Sequence, residues 1–275
     1  MHVLPGLESA LRSMRGGAPA DPDREIMRTT TVDLTADTPA GAAARRTTAW
    51  TAGGLAAAAA LTGGLLAPTD AAQGQAQRLM YVHVPAAWVA YLAFTVVLAA
   101  SLAHLIRGDL RWDRYARAGA EIGVALTAVA LASGAYWGHL VWGTWWAWDP
   151  RLVSTALLLL TYAGYLALRR AVAERTGRDG ADRTAAVLGV AGFLLVPVVH
   201  FSVVWWRSLH QPATVLAPER PPIDARMGLA LLLAVAAASV AALCVLLYRV
   251  VRLSRRHGPD PATSASRRRE PARVG

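Results

Sequence analysis

The sequence predicts an all-α membrane protein with six transmembrane helices and both termini in the cytoplasm. Three observations carry that expectation. The composition is 55% hydrophobic, above the usual range for a soluble domain of this length. The apolar residues gather into six blocks close to the roughly 20 residues that a helix needs to cross a bilayer. All 28 basic residues are arginine, and they concentrate between alternate blocks.

The elements follow in chain order. Residues 1–47 are polar, hold no long apolar run, and are expected to be a mostly disordered cytoplasmic extension with room for one short helix in PGLESALRSM. The membrane domain is expected over 48–250. Its blocks are 50–68, 85–106, 118–139, 152–168, 185–206 and 227–248. In hydrocarbon each block must satisfy its own backbone hydrogen bonds, so each is read as a helix. The first block follows a twin arginine, Arg45 and Arg46, and resembles a signal peptide. It begins deep in the chain, and is therefore read as a retained helix. Residues 251–275 are expected to be a basic, disordered cytoplasmic tail.

Arginine placement sets the topology. Segments assigned to the inside carry 23 of the 28; the outside carries Arg78, Arg151, Arg207, Arg220 and Arg226. The inside segments are longer, so the bias per residue is roughly twofold, in the positive-inside direction. A net charge of +10 placed this way fits loops facing the anionic lipid of the bilayer, not a nucleic acid. The single cysteine, Cys244, lies inside an apolar block, which leaves no disulfide, CxxC or thiolate metal site. No GxxxxGK[ST] stretch offers an ATP site.

Three segments face outward: 71–85, 138–151 and 207–226. The middle one contains WGTWWAWDPR, with Trp142, Trp145, Trp146 and Trp148 crowded ahead of Asp149 and Arg151. Interfacial anchoring alone would scatter tryptophans at helix ends. Clustered indoles instead make an apolar platform with N–H donors at its edge, suited to a large planar ligand. Of the seven histidines, His2 and His257 lie in the tails and His104 near the inner membrane edge. His139 adjoins the tryptophan segment, as a supporting donor or a surface residue. His200 lies near an outer helix end, as a pocket wall or a satisfied core residue. His83 and His210 flank the tryptophan segment on its two neighbouring loops. Two imidazoles facing each other across a gap are the usual axial ligands of a low-spin heme. Zinc would take three or four ligands, and His83, His200 and His210 leave that alternative open. Arg78 and Arg151 are candidates for pairing with carboxylates, or for contacts with lipid phosphate.

These stretches resemble a known family. WGTWWAWDPRLVS (142–154) is similar to the tryptophan-rich WWD signature of the heme-handling proteins CcmC, CcmF and CcsA. RLMYVHVPAAW (78–88) and VPVVHFSVVWWRSLHQPAT (196–214) are similar to CcmC in particular, and the resemblance covers roughly residues 50–250. It implies heme b at the outer face of the bacterial cytoplasmic membrane, stacked over Trp142, Trp145, Trp146 and Trp148. It implies His83 and His210, rather than His200, as iron ligands. Arg78 and Arg151 become candidates for the propionates, and Asp149 is expected to fix the loop or orient an indole. The implied role is presentation of heme to a CcmE-like chaperone, beside a small CcmD-like membrane protein and a CcmA/CcmB-like ABC transporter, without enzymatic turnover. The alternative is a CcsA-type cytochrome c synthase component, whose relatives carry further histidines for a second, membrane-embedded heme. Here the third, fourth and sixth blocks hold none apart from His139 at an edge. The long N-terminal extension and the Pro-rich VLAPERPPIDARM depart from the family pattern.

Overall fold

The computed structural model describes residues 64–176, 183–210 and 223–255, with a few isolated positions between 43 and 54. The predicted N-terminal extension, most of the first apolar block, the Pro-rich loop and the tail beyond 255 lie outside the described residues. Among the described residues the fold is all-α. A 3-10 turn, Gln75–Leu79, leads into α1 (Met80–Arg107). Then come α2 (Leu110–Trp142), α3 (Pro150–Thr176), α4 (Arg183–Phe193), α5 (Leu195–Trp205) and α6 (Ala225–Arg255). Five stretches are long and apolar enough to cross a membrane: Gln75–Arg107, Leu110–Trp142, Pro150–Arg175, Arg183–Trp205 and Ala225–Ser254. Exposed leucines such as Leu157, Leu160, Leu232 and Leu243 cover their outer surfaces, as a lipid-facing helix requires. The chain is a multi-pass membrane protein.

Helix ends are written in the local sequence. Gly108 takes a left-handed φ of 69° and returns its N–H to the His104 carbonyl at 2.8 Å, closing α1. Asp109 then caps α2 by accepting the Arg111 N–H at 2.8 Å. This two-residue link forces α1 and α2 into an antiparallel pair. Gly143 ends α2 in the same way, with φ 74° and a bond to the His139 carbonyl. The fifth predicted block is one span with a break at Leu194, whose N–H turns back to Ala191 at 3.1 Å. Pro197 explains the break: it has no N–H to offer the Phe193 carbonyl, and its ring crowds that carbonyl. Helix α1 begins at Met80, earlier than the sequence reading, which started a helix at Pro85. The proline sits in the second turn and costs a single hydrogen bond, so His83 stands on the first turn of a helix and not on a loop.

The core lies between α1, α2, α3 and the α4–α5 pair. Phe94 stacks on Tyr162 with ring centres 4.0 Å apart, and Val97, Leu158, Tyr165 and Val199 close around them. Gly123 permits that stack, because a Cβ there would fall 2.4 Å from Phe94 Cε1. Helix α6 packs on α1 through Met227 and Ala230, and on α2 through Val250 and Leu253. Nearer the other membrane edge, Arg169 grips both oxygens of Asp113 and donates to the Tyr165 hydroxyl at 3.0 Å. Their side chains are 2% and 7% exposed, so neither charge has water to fall back on. Removing one member of such a pair strands the other. Asp113→Ala should therefore lower stability by about 3–5 kcal/mol, read as the unfolding midpoint in detergent. Asp113→Leu combined with Arg169→Met should recover most of that loss.

Candidate functional site

Three helices contribute facing stripes to one cleft. From α1 come His83, Ala87, Ala90 and Tyr91; from α2, Thr127, Ala130, Leu131, Gly134 and Ala135. Both sets follow the i, i+3/i+4, i+7, i+8 spacing of a single helix face. Arg151, Thr155 and Leu158 of α3 form the third wall, and Val199, Trp146 and His210 complete it. The empty space, open mouth included, is about 700 Å³. Alanine and glycine at the facing positions make this room between otherwise closely packed helices. Ala90, Leu158 and Val199 belong to both cleft and core, so the core is the cleft's floor.

His83 is fixed from behind. Its Nδ1 lies 2.9 Å from the Ala130 carbonyl, an acceptor, so the proton sits on Nδ1 and Nε2 keeps its lone pair. Ser133 Oγ, 3.3 Å away, is a second neighbour of the same nitrogen. Gly134 makes space for the ring: a Cβ there would stand 2.8 Å from Cε1 of His83.

His210 is fixed by Asp149. Helix α5 ends at Trp205; the backbone of the C-cap Trp206 turns extended, and Ser208, Leu209 and His210 return toward the start of α3. Asp149 is the N-cap of α3: its Oδ1 accepts the Arg151 N–H at 2.9 Å, and its carbonyl accepts Val153 at 3.0 Å. Pro150 follows at the first helical position, where its missing N–H costs nothing. The same carboxylate takes Ser208 Oγ and the Leu209 N–H on Oδ2, each at 2.7 Å, and His210 Nδ1 on Oδ1 at 3.2 Å. Burial opposes its ionisation, but the Ser208 hydroxyl, the Leu209 and Arg151 amides and nearby His210 outweigh it and hold the carboxyl below its usual range. Burial pushes the His210 imidazole below its ordinary range; Asp149 pulls it up without cancelling that, and Arg151 adds to the lowering. A carboxylate beside a neutral imidazole places the proton on Nδ1 and frees Nε2.

Arg151 donates to the His200 carbonyl at 2.9 Å, while its buried Nε finds no partner among the described residues. It is a cation held at the cleft wall with donor capacity left over. His200 presents its ring elsewhere, edge-on to Tyr91 and Phe201, and does not line the cleft. Among the described residues no three His, Cys, Asp or Glu side chains group to hold a metal ion.

The four indoles do not form one flat floor. Trp146 alone among them lines the cleft, with Trp148 at 88° to it and 86% exposed. Trp142 meets His210 edge-on at 5.1 Å, and Trp145 stacks on His139 at 4.3 Å. The short, non-helical link after Gly143 turns successive side chains different ways, which prevents a common plane. Asp149 bonds to the His210 imidazole, and among the described residues none of its hydrogen bonds comes from an indole. Arg78 lies in the 3-10 turn and does not line the cleft; its Nε is buried without a partner among the described residues. Tyr91, Thr127 and Gly134 escaped the sequence reading, although their spacing from His83 or from one another is the signal that marks a shared helix face.

The sequence model of one family, described as Heme exporter protein C, matches residues 34–259. The chain belongs to the CcmC family. The matched span contains every residue of the cleft and the segments 71–85, 138–151 and 207–226. Proteins named Heme exporter protein C are similar to it. The one from Bradyrhizobium diazoefficiens is 44% identical over 151 residues, 55% of this chain and 56% of that protein. The one from Paracoccus denitrificans is 40% identical over 174 residues, 62% and 70% respectively. The one from Escherichia coli K12 is 38% identical over 148 residues, 54% and 59%. The aligned part thus spans little more than half of the Bradyrhizobium and Escherichia relatives.

Two outcomes follow from this family member's site. Gly134→Ala should push the His83 ring off its bond to the Ala130 carbonyl, because the added Cβ would stand 2.8 Å from Cε1 and 3.1 Å from Nδ1. Chemical modification of His83 by diethyl pyrocarbonate, followed by mass spectrometry, should then be faster than in the unaltered protein. For pH, a histidine with a lowered folded-state value binds fewer protons folded than unfolded below about pH 6.5. The apo protein should therefore lose stability as pH falls through that value toward the lower folded one. His210→Gln should flatten this part of a thermal-unfolding profile measured from pH 8 to 5.

Proposed function

We propose that the chain binds heme b in this cleft, at the outer face of the bacterial cytoplasmic membrane, and presents it to a CcmE-like chaperone for cytochrome c maturation. The observation that carries the reading is the matched tethering of His83 and His210. Each lines the same cleft, each has Nδ1 committed to an acceptor, and each keeps Nε2 for a metal. Membership of the CcmC family and relatives named for heme export support it. The apolar walls, an indole and a guanidinium with an unpartnered Nε suit a flat, mostly apolar group bearing carboxylates. His200, turned out of the cleft, is not part of the proposed ligand pair.

In this reading His83 and His210 hold the iron from two sides, which leaves no open coordination position for oxygen chemistry and suits a carrier rather than an enzyme. Trp146 flanks the macrocycle. Trp142 braces His210, while Trp145 and Trp148, being exposed, are available to the chaperone or to the ring's edge. Arg151 takes a propionate within the cleft; Arg78, in the 3-10 turn before α1, is the second candidate although it does not line the cleft. Asp149 fixes the His210 segment. The first apolar block supplies a sixth span and both termini lie in the cytoplasm. A CcmD-like small membrane protein and a CcmA/CcmB-like ABC transporter complete the assembly that releases heme.

Purified protein supplied with heme should show a low-spin spectrum, and His83→Ala or His210→Ala should abolish or shift it. His200→Ala should leave it unchanged. A wild-type sample with no Soret band, or a spectrum lost only with His200, would contradict the ligand assignment. Replacing Trp145 and Trp146 by alanine should slow transfer to the chaperone, measured as covalent heme on the chaperone.

A further inference from the structure

His83 and His210 enter the cleft with different groups behind them. His83 rides on a 28-residue helix and donates Nδ1–H to a neutral carbonyl, that of Ala130. His210 belongs to no helix. The segment that carries it hangs on Asp149: Ser208 Oγ and the Leu209 N–H reach Oδ2, and the His210 ring reaches Oδ1. Ser208 Oγ in turn accepts the His210 N–H at 3.1 Å. The Asp149 side chain is only 2% exposed, so its charge is not spent on water. An anionic acceptor makes a stronger hydrogen bond than a carbonyl and leaves more electron density on the ring's other nitrogen.

We infer that Asp149 is a positioning residue that aims and strengthens His210 as an iron ligand, so that the two axial histidines are unequal and His83 is the weaker. The inference rests on the heme reading of the cleft. It assigns Asp149 a role beyond fixing its loop: the bound iron is electronically tied to the N-cap of α3. Electron donation from His210 favours the ferric state. The neutral support behind His83 makes that side the easier one to exchange when heme leaves.

The test uses the full-length protein loaded with heme. Asp149→Asn keeps the size and one acceptor oxygen but removes the charge. Heme should stay low-spin, and the reduction midpoint should move to a more positive value. A second measurement reads the Asp149 bond with Asp149 itself unaltered, and uses the double variant only as its control. In His210→Gly, free imidazole and 1-methylimidazole compete to fill the vacated side. The two bases are of nearly equal strength, but only imidazole has an N–H to give Asp149. Imidazole should restore the low-spin spectrum at a concentration about tenfold lower, and this preference should shrink in His210→Gly/Asp149→Asn. A preference that persists in the double variant would mean that the methyl group is merely too large, and would overturn the inference. So would an unchanged midpoint in Asp149→Asn. Either result leaves a low-spin wild-type protein, and hence the heme reading, intact; a wild type without low-spin heme would overturn both.

Discussion

One buried carboxylate ties the cleft end of this protein together. Asp149 caps α3, receives the segment that follows α5, and sits behind the ring of His210. Each of these bonds also satisfies a backbone or side-chain donor that burial would otherwise strand, at a cost of about 1–3 kcal/mol each. The result is a network in which the start of one helix and the end of another cannot shift independently. The tryptophan-rich link from α2 is therefore anchored at both ends, by Gly143 at its start and by Asp149 at its finish.

The cleft itself is a product of side-chain size. In a membrane, helices associate through close packing rather than through expulsion of water, and small residues set how near they come. Lower in the bundle, Gly119 and Gly123 let α2 close onto α1 against Val97 and Phe94. Higher up, Ala87, Ala90, Ala130 and Ala135 face each other with no large side chain to fill the gap. The same geometry that packs the core thus leaves an opening once Phe94 and Tyr162 no longer occupy it. Polar groups are admitted there only where they are held: His83 by Ala130, Arg151 by the His200 carbonyl, Thr127 by the Gly123 carbonyl.

Much of this was legible from residue order. Block length and apolarity gave the spanning helices, and the break at Leu194 follows from Pro197. Chemistry and spacing drew attention to the tryptophan segment and to the histidines on its neighbouring segments, and the family resemblance favoured His210 over His200. What the chain order hid was lateral: which carbonyl lies behind His83, and which side chain Asp149 meets sixty residues away. The tryptophans illustrate the limit. Their density signals a special segment, but the direction of each indole depends on backbone angles in a seven-residue link, and those separate Trp146 from Trp148. Tyr91 and Gly134 were hidden for another reason. An aromatic or a glycine in an apolar helix looks like packing until the facing helix is known.

In the proposed function two imidazoles, His83 and His210, converge on one bound metal through Nε2. The most direct measurement is an experimentally determined structure of the heme-loaded protein in lipid nanodiscs. Iron is expected in the cleft, ligated by both Nε2 atoms, with both Nδ1 atoms still on Ala130 and Asp149. Iron ligated by His200, or heme seated outside the cleft with either imidazole unligated, would contradict it.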